Sequence, residues 1–81
     1  MTIAEKVRAI MISRDERYIW VGTDELLDIC AVAIGKENIH PSIRNRQILN
    51  ALESSAYFKK GIITIEINSK LRRVRCFRLL E

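Results

Sequence analysis

The 81-residue sequence predicts an α+β domain of three helices and a small antiparallel sheet, in the order helix, strand, helix, helix, strand, strand. Apolar residues recur at helical spacing in three segments, whereas a later segment alternates between apolar and polar residues as strands do. The three glycines and the single proline all fall between the proposed elements. With 48% apolar residues, a chain of this length is expected to form one domain, residues 1–81, around one core.

The first helix is predicted to begin at Thr2-Ile3-Ala4-Glu5. A threonine followed by a glutamate at this spacing forms a capping box, which satisfies two backbone N–H groups at a helix start. The helical pattern fades at Ser13 or Arg14, and a charged turn is expected over 14–17. The residues expected on the buried side are Ile3, Val7, Ile10 and Met11.

A short strand is expected at Tyr18-Ile19-Trp20-Val21, because this run is aromatic and β-branched and stops at Gly22. It could pair with the edge of the hairpin that ends the chain. Trp20 has two interpretations, as a core or hinge anchor and as a platform on which a base stacks, and the sequence favours the anchor.

The second helix is predicted over 26–34, with Thr23 as its N-cap and Gly35 after its last turn. Acidic residues at 24 and 25 suit the positive end of the helix dipole. After Asp28 the helix is apolar on nearly every side, so we expect it to be enclosed by the first helix, the third helix and the sheet.

A connector over 36–41 leads to the third helix, and its His40 is expected to be a loop or capping residue rather than a catalytic one. Ser42 is the expected cap, directly after Pro41, and the helix should end near Ser54-Ser55. Its buried stripe is expected to be Ile48, Leu49 and Leu52.

The opposite side of this third helix carries an exposed row of residues at steps of three and four. Arginine, glutamine and asparagine have the paired donors and acceptors that match guanine and adenine edges in the major groove of DNA. The alternative is an ordinary solvated helix face. The members of the row are Ile43, Arg46, Gln47 and Asn50, and Arg44 is expected to meet a phosphate beside them.

The chain is expected to end in a basic hairpin. Residues 56–58 should pack back onto the core, Lys59-Lys60-Gly61 should turn into the hairpin, and the lysines are expected to contact phosphates. Strands are predicted over 62–67 and 71–78, joined by a turn at Asn68-Ser69.

The register of the hairpin follows from the turn length. A two-residue turn pairs Ile67 with Lys70, Ile65 with Arg72 and Ile63 with Val74, whereas a three-residue loop would set Ile63 and Ile65 opposite arginines. We therefore predict the first register, in which Ile63, Ile65, Val74 and Cys76 share a face. The cations expected to contact DNA are Arg73 and Arg75 on the outer face with Thr64, and Lys70 and Arg72 near the tip.

The net charge of +4 is unevenly distributed. Residues 1–34 carry four Lys/Arg against six Asp/Glu, whereas residues 35–81 carry ten against four. A basic half that coincides with the third helix and the hairpin favours a nucleic-acid-binding face over a merely solvated one.

Several function classes are not expected. One histidine, no Cys-x-x-Cys and no phosphate-binding loop argue against a metal site, a cofactor and catalysis. Cys30 and Cys76 are expected to be buried reduced thiols rather than a disulfide. No apolar run approaches a membrane span and no signal-peptide pattern is present, so a cytoplasmic protein without a membrane partner is expected.

A helix with base-reading side chains followed by a cationic hairpin is the plan of a winged helix-turn-helix. The segments 20–26, 41–44, 49–52 and 60–62, with arginines at 73, 75 and 78, resemble the C-terminal winged-helix domains of phage, plasmid and mobile-element replicative primase-helicases. The resemblance covers about residues 18 to 80 and rests mostly on core and turn positions.

The resemblance implies a module that binds double-stranded DNA, with a recognition helix at about 42–54 and a wing at about 62–78. Such a module would serve replication, often at an origin, or transcription regulation of a mobile element. A larger replication protein or a parent chain is a further expected partner. The short chain favours a monomer, or a module made dimeric by a larger parent. The alternative is a winged helix that docks an acidic protein partner and does not bind DNA.

Overall fold

The computed structural model describes residues 1–20 and 25–80. Its elements are α1 (Ile3–Ser13), β1 (Tyr18–Trp20), α2 (Glu25–Ala33), α3 (Pro41–Glu53), β2 (Phe58–Ile67) and β3 (Lys70–Leu79). The α+β class and the element order are those predicted. The expectations for Val21, Gly22, Thr23 and Asp24 lie outside the described residues.

The three strands form an antiparallel sheet in the order β1-β3-β2. β1 lies beside β3 with Ile19 opposite Phe77 and Trp20 opposite Cys76, so the predicted pairing with the hairpin edge is confirmed. The backbone N–H of Leu79 also donates to the carbonyl oxygen of Arg17, which ties the chain before β1 to the end of β3.

The hairpin has the predicted register, with Ile67 opposite Lys70, Ile65 opposite Arg72 and Ile63 opposite Val74. Asn68 and Ser69 have φ of 52° and 64°. Two consecutive left-handed residues make a tight turn whose twist matches that of the strands it joins. Pairing extends further than predicted, because β2 begins at Phe58. Lys59, Lys60 and Gly61 are therefore strand residues and not a turn.

The two faces of the hairpin differ from the expectation. Phe58, Phe77 and Leu79 are buried among the helices, and pleating puts Arg73 and Arg75 on that same helix-side face. The row of Ile63, Ile65, Val74 and Cys76 shares a face, as predicted, but this back face points away from the helices. Thr64, Arg73 and Arg75 are thus not on the outer face, because the larger apolar side chains at the base of the hairpin occupy the core.

α1 begins as predicted. The Thr2 hydroxyl accepts from the backbone N–H of Glu5 at 3.2 Å, and the Glu5 carboxylate accepts from the backbone N–H of Thr2 at 3.1 Å. These hydrogen bonds favour the charged form and hold the pKa of the Glu5 carboxyl below its usual value. Val7 and Met11 are fully buried, and Ile3 and Ile10 pack at the margin of the core.

α2 is less enclosed than expected. Leu26, Leu27, Cys30 and Ala31 are buried, whereas the side chain of Val32 is 64% exposed. The helix packs on α1 and α3, and within its last turn Val32 and Ala33 are exposed while Cys30 and Ala31 are buried. Gly35 follows with φ of 74°, the left-handed conformation that glycine adopts most readily after a helix.

α3 begins two residues earlier than predicted, and its cap is His40 instead of Ser42. The Nδ1 atom of His40 accepts from the backbone N–H of Ser42 at 3.2 Å, and Pro41 occupies the first turn. The expectation that His40 serves as a loop or capping residue is confirmed. Ile48 and Leu52 are fully buried, Leu49 packs beside them, and Ser54 caps the end.

Cys30 and Cys76 are both buried free thiols, as predicted, and burial raises the pKa of the Cys76 thiol. Within residues 1–20 and 25–80, no group of three or more histidine, cysteine, aspartate or glutamate side chains could hold a metal ion. None of the described helices is both long enough and apolar enough to cross a membrane.

Candidate functional site

A groove of about 500 Å³ lies between α3 and the helix-side face of the hairpin, and we call it the α3–hairpin groove. One wall comes from α3, the other from β2 and β3, and the floor from apolar side chains. The α3 wall consists of Ser42, Asn45, Arg46, Leu49, Asn50 and Glu53. The hairpin wall consists of Lys60, Arg75 and Phe77, and His40 and Pro41 close one end.

The exposed row predicted on α3 is exposed along its whole length. Arg46 and Asn50 stand on the side that lines the groove. Ile43 and Gln47 do not line it. Gln47 lies about 100° around the helix from Arg46. Two members of the row therefore line the groove and two lie beside it on the exposed surface of α3.

Arg44 was expected to contact a phosphate, and the structure contradicts this. The residue is only 8% exposed, and its guanidinium donates to the carboxylate of Asp28 on α2. Arg44 lies on the side of α3 that packs on α2 and not on the side that faces the hairpin. Its role in the fold is to join the two helices.

The cations of the hairpin lie on both faces of the sheet. Lys60 and Arg75 line the groove, and Arg73 stands on the same face two residues closer to the tip of the hairpin than Arg75. The remaining cations lie on the back face, which points away from α3. They are Lys59, Lys70, Arg72 and Arg78. The eleven residues expected to bind DNA therefore do not form one surface, since Lys59, Lys70 and Arg72 are separated from α3 by the sheet.

An acidic residue lines the groove at the C-terminal end of α3. The Nζ atom of Lys60 lies 3.2 Å from Oε1 of Glu53, and the side chains are 49% and 53% exposed. The ion pair connects the last turn of α3 to β2. Because both partners are well exposed, its contribution to stability is small, and its main effect is on the charge presented by the groove.

The opposite end of the groove is set by the helix cap. The His40 Nδ1 atom lies 2.8 Å from the Ser42 hydroxyl oxygen and also accepts from the Ser42 backbone. This arrangement orients both polar side chains at the N-terminus of α3. The lining then carries three cations, Arg46, Lys60 and Arg75, against the single acid Glu53.

Seven groove residues were not among the predicted site residues: His40, Pro41, Ser42, Asn45, Leu49, Glu53 and Phe77. The spacing 42, 45, 46, 49, 53 along α3 is the signal that would have found Asn45 and Glu53, since it defines one helical side. Phe77 shares its face with Arg75, because the two residues are two positions apart on β3. His40 lines the groove through its position at the helix cap.

Comparison of the chain with models of protein families, with curated proteins and with solved structures finds no match. The function of the groove must therefore be inferred from its own residues. The groove is open, positively charged and lined by amide, guanidinium and ammonium groups, and an extended polyanion has the complementary charge and hydrogen-bonding groups.

Proposed function

We propose that this domain is a winged helix that binds double-stranded DNA through the α3–hairpin groove and the exposed side of α3. In this arrangement α3 enters the major groove as the recognition helix, and the hairpin follows the adjacent backbone as the wing. The role that best fits the sequence is replication or transcription regulation of a mobile element, with the domain acting alone or within a larger replication protein.

The dimensions of α3 suit the proposal. A helix of 13 residues is about 20 Å long and, with its side chains, about 10–12 Å wide, which matches the width of the major groove. The exposed side chains that would meet base edges are Arg46, Gln47 and Asn50. Arg46 can donate two hydrogen bonds to a guanine, and Gln47 or Asn50 can pair with the edge of an adenine.

The hairpin supplies the sequence-independent part of binding. Lys60, Arg73 and Arg75 lie on the face that looks toward α3, so all three would meet phosphates on the side of the duplex that α3 enters. Lys59, Lys70 and Arg72 lie behind the sheet. In the proposed complex they contribute long-range attraction and not direct contacts.

One observation carries the proposal: Arg46 and Asn50 on α3 line the same groove as Lys60 and Arg75 on the hairpin. Base-reading side chains and phosphate-binding cations are therefore adjacent, although they are separated along the chain. A basic surface lacking the amide side chains would favour polyanion binding without sequence preference.

The test is a titration of the ¹⁵N-labelled chain with a short DNA duplex at low salt, followed by amide chemical shifts. We expect the largest shifts along 42–50 of α3 and at 60, 73 and 75 of the hairpin. Arg46→Ala and Asn50→Ala should weaken sequence preference, whereas Arg75→Ala should weaken binding to all duplexes equally. Absence of binding at low salt, or shifts confined to α1 and α2, would refute the proposal.

A second candidate is an acidic protein partner docked on the same surface. The observation in its favour is that Ile62 and Leu71, on the helix-side face with the arginines, are 59% and 75% exposed. Exposed apolar side chains beside cations are typical of protein interfaces. Ile62→Ser and Leu71→Ser distinguish the two candidates, because they should weaken binding to a protein and leave binding to DNA nearly unchanged.

A further inference from the structure

β2 has an open edge. Among the described strands it is the outer strand of the sheet, and β3 occupies its other side. In a hairpin with a two-residue turn, the residues that flank the turn exchange both backbone hydrogen bonds, and this alternates along the strands. Ile67, Ile65, Ile63 and Gly61 therefore bond to β3. The intervening residues, Lys60, Ile62, Thr64 and Glu66, direct their N–H and C=O groups to the open edge.

We propose that two copies of this chain form a dimer by pairing their β2 strands edge to edge in antiparallel orientation. The two-fold axis passes midway between Ile63 of one copy and Ile63 of the other. A row of unpaired backbone groups is a template for another strand. The pairing makes one sheet of six strands in the order β1-β3-β2-β2-β3-β1. It is a property of the strand edge and does not depend on DNA binding.

The charges on β2 select this register. In a symmetric antiparallel pair the axis is perpendicular to the sheet, so partner residues must lie on the same face. When Ile63 lies opposite Ile63 of the second copy, Lys60 of each copy lies opposite Glu66 of the other, which gives two oppositely charged pairs. If Ile62 lay opposite its own copy, Lys60 would face Thr64. If Thr64 did, Glu66 would face Ile62.

The apolar side chains agree with the same register. On the back face, Ile63 meets Ile63 of the second copy, and each Ile65 lies opposite Gly61, which leaves room for it. On the helix-side face, Ile62 lies opposite Thr64 of the second copy and loses part of its 59% exposure. The apolar row that faces away from the helices thereby becomes continuous across the dimer.

The two-fold axis has a geometric consequence for the grooves. Because it is perpendicular to the sheet, both α3–hairpin grooves lie on the same side of the six-stranded sheet. A dimer of this kind presents two equivalent binding surfaces in one direction, as symmetric DNA-binding dimers do. The sequence favoured a monomer on the ground of its length. The open edge of β2 is visible only once the strand order is known.

The experiment exchanges the charges at the edge of the full chain and measures mass by sedimentation equilibrium from micromolar to millimolar concentration. We expect a concentration-dependent dimer that K60E or E66K alone weakens by roughly tenfold or more, since each sets like charges opposite one another at two positions. The double variant K60E/E66K should restore dimerisation. An equimolar mixture of K60E and E66K should form mixed dimers preferentially, because both pairs are then opposite in charge.

E37K is the matched control, because Glu37 is an exposed acid in the connector between α2 and α3. It should leave the dimer unchanged. K60E also removes the contact between Lys60 and Glu53. The double variant K60E/E66K lacks that contact too, so if it dimerises again, the weakening in K60E came from the edge pairing and not from the lost contact. Circular dichroism melting confirms that each variant is folded.

Backbone hydrogen exchange locates the contact. On dimerisation the amides of Lys60, Ile62, Thr64 and Glu66 should become protected, whereas those of Ile63 and Ile65 should be protected already in the monomer. T64P removes one edge donor and should abolish the dimer while the hairpin persists. A chain that stays monomeric at millimolar concentration, or a dimer insensitive to the charge exchange, overturns the proposal.

Discussion

Arg44 of α3 donates a hydrogen bond to Asp28 of α2, and the two ends of this ion pair lie in different environments. The side chain of Arg44 is 9% exposed, whereas that of Asp28 is 64% exposed. Among the described residues, Arg44 is the one charged side chain that is buried. A buried guanidinium that reaches an acid at the surface couples the packing of α2 to the orientation of the candidate recognition helix.

Removal of the acid should destabilise the fold. Asp28→Ala leaves a buried cation without its partner, and we expect a loss of about 1–2 kcal/mol in the free energy of unfolding, less than for a fully buried pair because water screens Asp28. Arg44→Met should cost less, since an aliphatic chain fills the same space. Urea denaturation measures both, with Glu37→Ala as the control. Equal stability of Asp28→Ala and the control would contradict this account.

The salt dependence of DNA binding should distinguish groove cations from the buried arginine. Each cation that neutralises a phosphate contributes about 0.9 to the slope of log K against log salt. Lys60→Ala and Arg75→Ala should each reduce that slope by about this amount, whereas Arg44→Met should leave it unchanged. Fluorescence anisotropy at several salt concentrations provides the slopes, and a reduced slope for Arg44→Met would place that guanidinium at the DNA.

The Glu53–Lys60 ion pair should oppose DNA binding. Glu53→Gln removes the acid from the groove and releases Lys60, and we expect binding to tighten about fivefold, as one charge at contact distance contributes about 1 kcal/mol in water. Glu37→Gln is the control, since it removes the same charge far from the groove. Affinity that is unchanged in Glu53→Gln and in the control alike would mean that DNA does not approach this end of α3.

The capping box at the start of α1 should make stability depend on pH. The pKa of the Glu5 carboxyl is lowered in the folded chain, so its stabilisation is present above the pKa of the unfolded chain and is lost as pH falls through the lower, folded value. Thr2→Ala should cost about 1 kcal/mol at neutral pH. The difference between wild type and Glu5→Gln should shrink in acid, as followed by thermal melting across that range.

Local chemistry predicted much of the architecture. Thr2 and Glu5 cap the first helix because both groups lie within one turn, and Asn68-Ser69 sets the hairpin register because a turn acts only on its neighbours. His40 was expected to be a loop or capping residue, and it caps α3. Each of these three features depends on residues a few positions apart, so spacing along the chain was enough to predict it.

The candidate site was predicted less completely. Exposure of Arg46, Gln47 and Asn50 followed from helical periodicity, but the same periodicity did not show which neighbouring helix covers Arg44. The contact of Glu53 with Lys60 joins two elements across a loop, and no pattern within either element contains it.

Residue order alone was thus sufficient for the number and order of the helices and strands, the turn and the hairpin register, because short-range sterics and backbone hydrogen bonds dominate each of them. It was not sufficient for the first residues of α3 and β2. The packing of the core chose the face of the sheet that meets the helices. Phe58 and Phe77 are larger than Ile63, Ile65 and Val74, and with Leu79 they lie at the base of the hairpin, so burying them next to α3 releases more apolar surface from water. Arg73 and Arg75 come to the groove side as a consequence.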